Sequence, residues 1–351
     1  MPAFVPDYRN IERAARNIEA PRLPLYEHAI CNEVMEELLN VRFKELYAGD
    51  AAERKQYFAT YCRFFKEMGY DTVTFEQCIG AAMPGSGALG RHADPVIKTR
   101  EDFEKYPWNE VPDRFFTMFA DDFRLLRETM PEGMRAIGGP GNGVFECVQE
   151  LTGFMGLCYI SADDPELYEA LFQKVGETNL LIWKRFLREF GDIYCVCRFG
   201  DDLGHKTSTM LSVGDIKRLI LPQYKRIVDE VHAAGKPFLL HSCGCIFEVM
   251  EDLVGKVGID AKHSNEDQIG RFPVWVERYG DRIGNFGGID TDAVCRLPKT
   301  EMTAYIREVV QKCTGRGGFA FGSGNSIPDY VPADNYLHMV NTVRELRGDF
   351  R

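Results

Sequence analysis

The sequence predicts a (β/α)₈-type barrel with a helical N-terminal extension, and three observations lead there. Beyond about residue 70, short apolar or β-branched runs that end in Gly or a polar residue occur seven times. The later runs are separated by stretches with apolar residues at helical spacing. The length, 351 residues, suits such a barrel built as one unit, and alternating strands and helices require parallel pairing through crossovers. Seven runs plus one strand not seen in the pattern make a barrel; an open doubly wound sheet is the alternative. We read residues 1–351 as a single barrel domain in which 1–70 form the mainly helical extension.

The elements follow in order. Helical patterns cover residues 30–47 and 57–68. The strand runs are TVTFE near Val73, MRAIGG near Ala136, IYCVCRFG near Val196 and PFLLHS near Leu239, then GIDAKHS near Asp260, RIGNFGG near Asn285 and GGFAFGS near Phe319. Met302, Tyr305, Ile306, Val309, Val310 and Cys313 form one apolar helical stripe, with Thr300 placed to cap its start and Gly315 its end. Ile227, Val228 and Val231 form a second, with Pro222 in the first turn and Gly235 at the C-terminus. Phe247, Met250, Leu253 and Val254 form a third. The GGPGNG loop at 138–143 lacks both the glycine spacing and the Lys-Ser/Thr of a phosphate loop.

Composition removes several function classes. The net charge of −11, with no basic run, argues against nucleic-acid partners. No apolar run reaches the ~18 residues of a membrane span. The N-terminus lacks the basic-then-apolar pattern of a secretory signal. Eleven cysteines without such a signal read as reduced thiols in a cytoplasmic protein. Cys62, Cys158 and Cys313 sit among apolar residues, as core cysteines do.

In a barrel the chemistry lies just past the C-terminal ends of the strands. Those positions hold Asn142 and Glu146, Asp201 and Asp202, His241, Cys243 and Cys245, His263, Asn265 and Glu266, Asp290, and Ser323 and Asn325. The strongest signal is His241-Ser-Cys243. Residues two apart in an extended segment point the same way, so an imidazole and a thiolate can reach one metal ion. Nitrogen and sulfur together suit Zn²⁺. The plainer account is a core histidine beside two buried thiols. Gly244 is expected to turn the chain before Cys245. Asp201 and Asp202 suit orientation of a His ligand, substrate binding, or simply the start of a loop. His263 could ligate, act as an acid or base, or pack. Glu146 opens a helix, where a carboxylate is favourable in any case.

HSCGC, GIDAKHSNE, RIGNFGGID and GGFAFGSGN together resemble the uroporphyrinogen decarboxylase-like superfamily over about residues 110–348. The resemblance is greatest to its cobamide-dependent methyltransferase branch, which includes the methyl-transferring components of O-demethylases. It implies a zinc-dependent barrel that moves a methyl group from a small methylated substrate to the cobalt of a corrinoid (cobalamin) on a partner protein. It implies His241 and Cys243 as zinc ligands, and a later Cys in a Gly-rich turn where this chain has Ser323. The third ligand is therefore open among Glu146, Asp202, Cys245, His263 and Ser323. An oxygen ligand would favour an ether donor, so a methoxylated aromatic substrate is expected. His263, Asp202 and Asn325 are then the expected catalytic residues, with His263 as the acid. Asn142, Glu146, Asp201 and Asp290 are the expected substrate contacts. Two alternatives stand beside this. One is a metal-free decarboxylase, for which Arg198 and Lys262 would line a basic mouth, although RNIERAARN does not reproduce the family's arginine-rich loop. The other is a non-catalytic corrinoid- or metal-binding module, which needs no substrate pocket.

Overall fold

A computed structural model describes residues 4–350. Its centre is a seven-stranded all-parallel sheet with strands in sequence order: β1 (Val73–Cys78), β2 (Ala136–Gly141), β3 (Tyr194–Gly200), β4 (Phe238–His241), β5 (Ala261–His263), β6 (Gly284–Ile289) and β7 (Phe319–Ser323). Every expected strand run is present. Each next strand pairs with the last because a helical crossover returns the chain to the same end of the sheet.

The eighth position of the barrel is filled by an irregular segment, residues 24–28. Leu25 bridges Phe321 in parallel, the Tyr26 amide donates to the Phe321 carbonyl at 2.8 Å, and the Phe321 amide donates to the Pro24 carbonyl at 2.9 Å. On the other side, Thr74 Oγ1 of β1 donates to the Glu27 carbonyl at 2.8 Å. Pro24 has no N–H to give, so a full ladder cannot form there. The rest of the N-terminal region is helical: α1 (Arg9–Ala15), α2 (Asn32–Leu39), α3 (Phe43–Ala48) and α4 (Ala51–Glu67). The pattern over 30–47 is thus two helices, because Asn40 adopts a left-handed conformation (φ 51°) that ends the first.

The later helices match their apolar stripes closely. Met302, Tyr305, Ile306, Val309 and Cys313 are the buried face of the helix Lys299–Cys313, whose cap is Pro298 instead of Thr300. Pro222 lies in the first turn of Leu221–Ala233, and Gly235 follows that helix with φ 74°. Cys62 and Cys313 are buried as expected, but Cys158 is exposed on the helix Phe154–Asp163. That helix is apolar almost throughout, so its pattern did not mark a solvent face. No helix among the described residues is long and apolar enough to cross a membrane.

Two apolar layers result. Between sheet and helices lies the larger core. Inside the barrel, Ile137, Leu239, Ala261, Phe286 and Ala320 meet Ile11 and Ala14 of α1, which plugs the N-terminal end. That plug requires glycine in the opposing strand entry, since a Cβ on Gly318 would fall 1.9 Å from the Ala14 carbonyl oxygen. The C-terminal end of the barrel is left for polar groups.

Candidate active site

At the C-terminal end, β4 and β5 run side by side with His241 paired to His263. Their rings meet Nδ1 to Nδ1 at 2.7 Å. His263 Nε2 lies 3.0 Å from the Ser323 carbonyl oxygen, which can only accept, so Nε2 carries the proton. His263 is fully buried, and burial pushes its pKa down to about 3. The ring is therefore neutral and its Nδ1 is bare. The short contact then places a proton on His241 Nδ1. Burial, with His263 next to it, also holds His241 well below the ordinary histidine range. The result is a lone pair on His241 Nε2, fixed by a hydrogen-bond chain that begins at a backbone carbonyl.

That lone pair faces two more donors. Cys243 Sγ is 3.4 Å from His241 Nε2, and Asp202 Oδ1 is 3.8 Å from it. One ligand atom from each of Asp202, His241 and Cys243 lies within 4.8 Å of the others. Tetrahedral zinc bonds of about 2.0 Å to nitrogen and 2.3 Å to sulfur put such ligands roughly 3.5 Å apart, so the donor set and spacing fit zinc. The Cys243 amide holds Asp202 Oδ1 at 2.9 Å, and Asn325 Nδ2 donates to Cys243 Sγ at 3.2 Å. Without a cation, burial and the neighbouring Asp202 push the Cys243 thiol up. A bound cation reverses that preference by favouring the thiolate.

A second set, His28, His241 and His263, also has ligand atoms within 4.8 Å. Most of its nitrogens are already engaged. His28 Nδ1 takes a hydrogen bond from Arg198 Nη1 at 2.6 Å, and His263 is bonded at both nitrogens. The His28 ring instead stacks on His241, with centroids 3.6 Å apart and planes 16° apart. Arg198 is fully buried. It also donates to the Tyr26 hydroxyl at 2.8 Å and to Glu76 Oε2 at 2.5 Å.

The other expected residues fall into two groups. Asn325 and Asp202 belong to the cluster just described, whereas His263 stands behind His241 with no nitrogen free for a substrate. Glu146 receives the Asp202 amide at 3.2 Å and Asn142 Nδ2 at 2.8 Å, so both support the Asp202 loop. Asp201 is fully buried and caps the helix Val144–Thr152, accepting from the Phe145 and Glu146 amides at 2.9 and 2.7 Å and from the Tyr224 hydroxyl. Asp290 accepts the amides of Asp292 and Asp267, both at 2.7 Å. Among the third-ligand candidates, Ser323 directs its hydroxyl to Glu27 and the Asn325 carbonyl. Cys245 lies outside the cluster because Gly244 (φ 81°) turns the chain against Gly204.

A cavity of about 420 Å³ opens at this end, on the β1 side. His28, Glu76 and Arg198 line it, along with Tyr47, Tyr57 and Tyr61. His28 is shared with the metal-type cluster through its stack on His241. The sequence pattern pointed to none of Tyr26, Glu27, His28 or Glu76 as site residues. LYEH follows Pro24 in what read as a helical region, and its partners are more than forty residues away in sequence.

The model of the family described as uroporphyrinogen decarboxylase (URO-D) matches residues 10–346. Uroporphyrinogen decarboxylase of Geobacter metallireducens is 25% identical over 185 residues, which are 52% of this chain and 50% of that protein. The same-named protein of Geobacter sulfurreducens is 26% identical over 140 residues, 39% of each. The chain thus matches half or less of the length of these curated relatives. Among solved structures, a methyltransferase from Methanosarcina mazei has a TM-score of 0.76, covering 96% of this chain and 98% of that one, at 14% identity. At that identity the likeness shows the fold, a TIM-barrel-like α/β architecture.

Proposed function

We propose, from the premise that the chain belongs to the uroporphyrinogen decarboxylase family, that it is a zinc-dependent methyltransferase. In this reading it moves a methyl group from a methoxylated aromatic substrate to the cobalt of a corrinoid carried by a partner protein. The observation that carries the reading is the convergence of one imidazole, one thiol and one carboxylate within 4.8 Å at the strand ends. Zinc held by His241, Cys243 and Asp202 would supply Lewis acidity toward an ether oxygen.

The protein's own groups prepare that site. Ser323 and His263 set the His241 tautomer, so the ligand nitrogen needs no proton removed before it binds. Asn325 steadies the sulfur. The Cys243 amide holds the carboxylate, and Glu146 holds the backbone of Asp202 in turn. The oxygen ligand makes the site harder than two thiolates would, which suits an ether more than a thiol. The cavity next to His28 has substrate size, which a metal carrier does not require.

A decarboxylase reading has support of its own, since both Geobacter relatives carry that name. It calls for free cations around a polycarboxylate. Here Arg198 is paired with Glu76, and Lys44 at the cavity edge is paired with Glu33 at 2.7 Å. Lys262 is buried against the Trp275 ring, 3.5 Å from its centroid, and does not line the cavity.

The test runs both activities on one zinc-loaded preparation. Methoxylated aromatics are supplied with Co(I) cobalamin, and methylcobalamin formation is followed by absorbance; uroporphyrinogen is supplied separately and CO₂ is measured. Methylcobalamin without CO₂ supports the proposal. CO₂ release with no methyl transfer overturns it.

A further inference from the structure

Two of the three metal-type donors, His241 and Cys243, trace back to one residue. Ser323 ends β7, and its carbonyl oxygen accepts from His263 Nε2 at 3.0 Å, which fixes His241 through the contact between the rings. Its hydroxyl serves the other branch. Ser323 Oγ lies 2.5 Å from the Asn325 carbonyl oxygen, and Asn325 Nδ2 donates to Cys243 Sγ at 3.2 Å. The Ser326 amide donates to Asn325 Oδ1 at 2.8 Å, so the NH₂ end of that side chain is the one turned to the sulfur.

Glu27 holds Ser323 from the eighth position of the barrel. Glu27 Oε1 accepts the Ser323 amide at 3.1 Å, and Glu27 Oε2 meets Ser323 Oγ. Thr74 Oγ1 anchors the Glu27 carbonyl from the β1 side at 2.8 Å. Both Glu27 and Ser323 are buried. A hydroxyl carries one proton, yet Ser323 Oγ has two oxygen neighbours. The Asn325 carbonyl can only accept, so the Ser323 proton points to it. The contact with Glu27 then takes its proton from the carboxyl. An ionised Glu27 would leave two acceptors facing each other across one of the two contacts. Burial acts in the same direction, raising the Glu27 pKa to about 8. One directed chain results: Glu27 donates to Ser323 Oγ, and Ser323 donates to the Asn325 carbonyl.

We propose that Glu27, as a neutral carboxylic acid, is a positioning residue for the metal site and acts through Ser323 on His241 and Cys243 together. The role in metal binding rests on the zinc reading of the cluster; the proton arrangement rests on the geometry of Glu27, Ser323 and Asn325 alone. Outer hydrogen bonds of this kind orient ligand atoms and so set metal affinity. Glu27 does not line the β1-side cavity, so its effect on the metal is separate from that wall.

The experiment is Co²⁺ binding to the metal-free full-length chain. Sulfur-to-cobalt charge-transfer absorption reports Cys243, and competition with a chelating dye reports affinity. Glu27→Gln can still donate to Ser323 Oγ and accept the Ser323 amide, so it should bind Co²⁺ within about twofold of wild type, with an unchanged spectrum. Glu27→Leu makes neither bond and should bind about 10- to 100-fold more weakly, with a diminished charge-transfer band. Ser323→Ala keeps the carbonyl and loses the hydroxyl, so it should shift that band at a smaller cost in affinity. A folded Glu27→Leu protein with wild-type affinity and spectrum overturns the proposal, as does a folded Glu27→Gln protein as impaired as Glu27→Leu. If Glu27→Leu fails to fold, Ser323→Ala decides, and an unchanged band there overturns the proposal. A second measurement needs no metal. The infrared carbonyl stretch of a protonated carboxyl should be present in wild type at neutral pH and lost in Glu27→Gln. That band in a wild type that takes up neither Co²⁺ nor zinc counts against the zinc reading. Its absence from a wild type that binds Co²⁺ counts against this inference only.

Discussion

The two ends of the barrel are closed with opposite materials. At the N-terminal end α1 meets the strands through Ile11, Ala14 and glycine backbone, in a mostly apolar contact. At the C-terminal end the inward groups are His28, Arg198, His241 and His263, and all are buried. Burying polar groups is tolerated only when each finds a partner. Here one chain starts at the Ser323 carbonyl and runs through His263 to His241, whose Nε2 faces Cys243 Sγ at 3.4 Å, and His28 is held by Arg198. The lower end is stable because it is complete. The upper end instead gathers metal-type donor atoms from Asp202, His241 and Cys243.

That contrast can be broken from the top first. Removing a ligand should have the largest effect. His241→Ala should abolish tight zinc binding and lower methyl transfer by at least about 10³-fold, and should also lower the melting temperature of the zinc-free protein, because it removes a buried ring stacked on His28 and bonded to His263. Metal analysis and a melting curve on the same sample check both halves. Asp202→Asn keeps the shape but removes the charge, and should loosen zinc by about 100-fold, read by competition with a chelating dye.

Its neighbour should behave differently. Asp201→Ala removes the cap of the helix Val144–Thr152 and leaves the Tyr224 hydroxyl without its acceptor. It should destabilise the fold by roughly 2–4 kcal/mol, measured by urea unfolding, while zinc affinity changes far less than in Asp202→Asn. At the closed end, Gly318→Ala should destabilise by about 1–3 kcal/mol through contact with the Ala14 carbonyl, and leave zinc stoichiometry at one per chain. If Gly318→Ala instead released zinc, the two ends would not be independent.

The smallest effect is a pH dependence at the seam of the barrel. Glu27 is buried in the eighth position, and burial raises its pKa from 4.5 to about 8 against the opposing hydrogen bonds from Ser323. A carboxyl raised in the folded state contributes stability that is full below its unfolded pKa and is lost as pH rises through the folded one. Wild-type stability should therefore fall between about pH 4.5 and pH 8. Glu27→Gln should flatten that fall, so that variant and wild type diverge in favour of the variant as pH increases. Urea midpoints at pH 6 and pH 9 measure it.

How much of this was legible in the sequence differs between the same two ends. The seven strands were readable because parallel strands buried on both faces leave apolar runs, and each run ends in Gly or a polar residue. The eighth position was not, because residues 24–28 form single bridges next to a proline and have no run to read. His241 and Cys243 were readable because a spacing of two puts them on one side of an extended chain. Asp201 and Asp202 were not separable by the same reasoning. Adjacent residues point opposite ways, and spacing alone does not say which one faces the site. Asp201 and Asp290 lie at strand ends, where polar residues suggested substrate contacts. The start of a helix also lies at a strand end, and its unpaired amides claimed both carboxylates. His28 and Glu76 joined the site through Arg198, a partner that only the fold supplies.

The central claim is that His241, Cys243 and Asp202 hold one zinc ion. The most direct test is zinc-edge X-ray absorption on the purified protein beside Cys243→Ser. The account predicts about one zinc per chain, with a single sulfur at about 2.3 Å and nitrogen or oxygen ligands near 2.0 Å, and no sulfur in the variant. Absence of zinc after reconstitution, two sulfur ligands in the wild type, or a sulfur that persists in Cys243→Ser would contradict it.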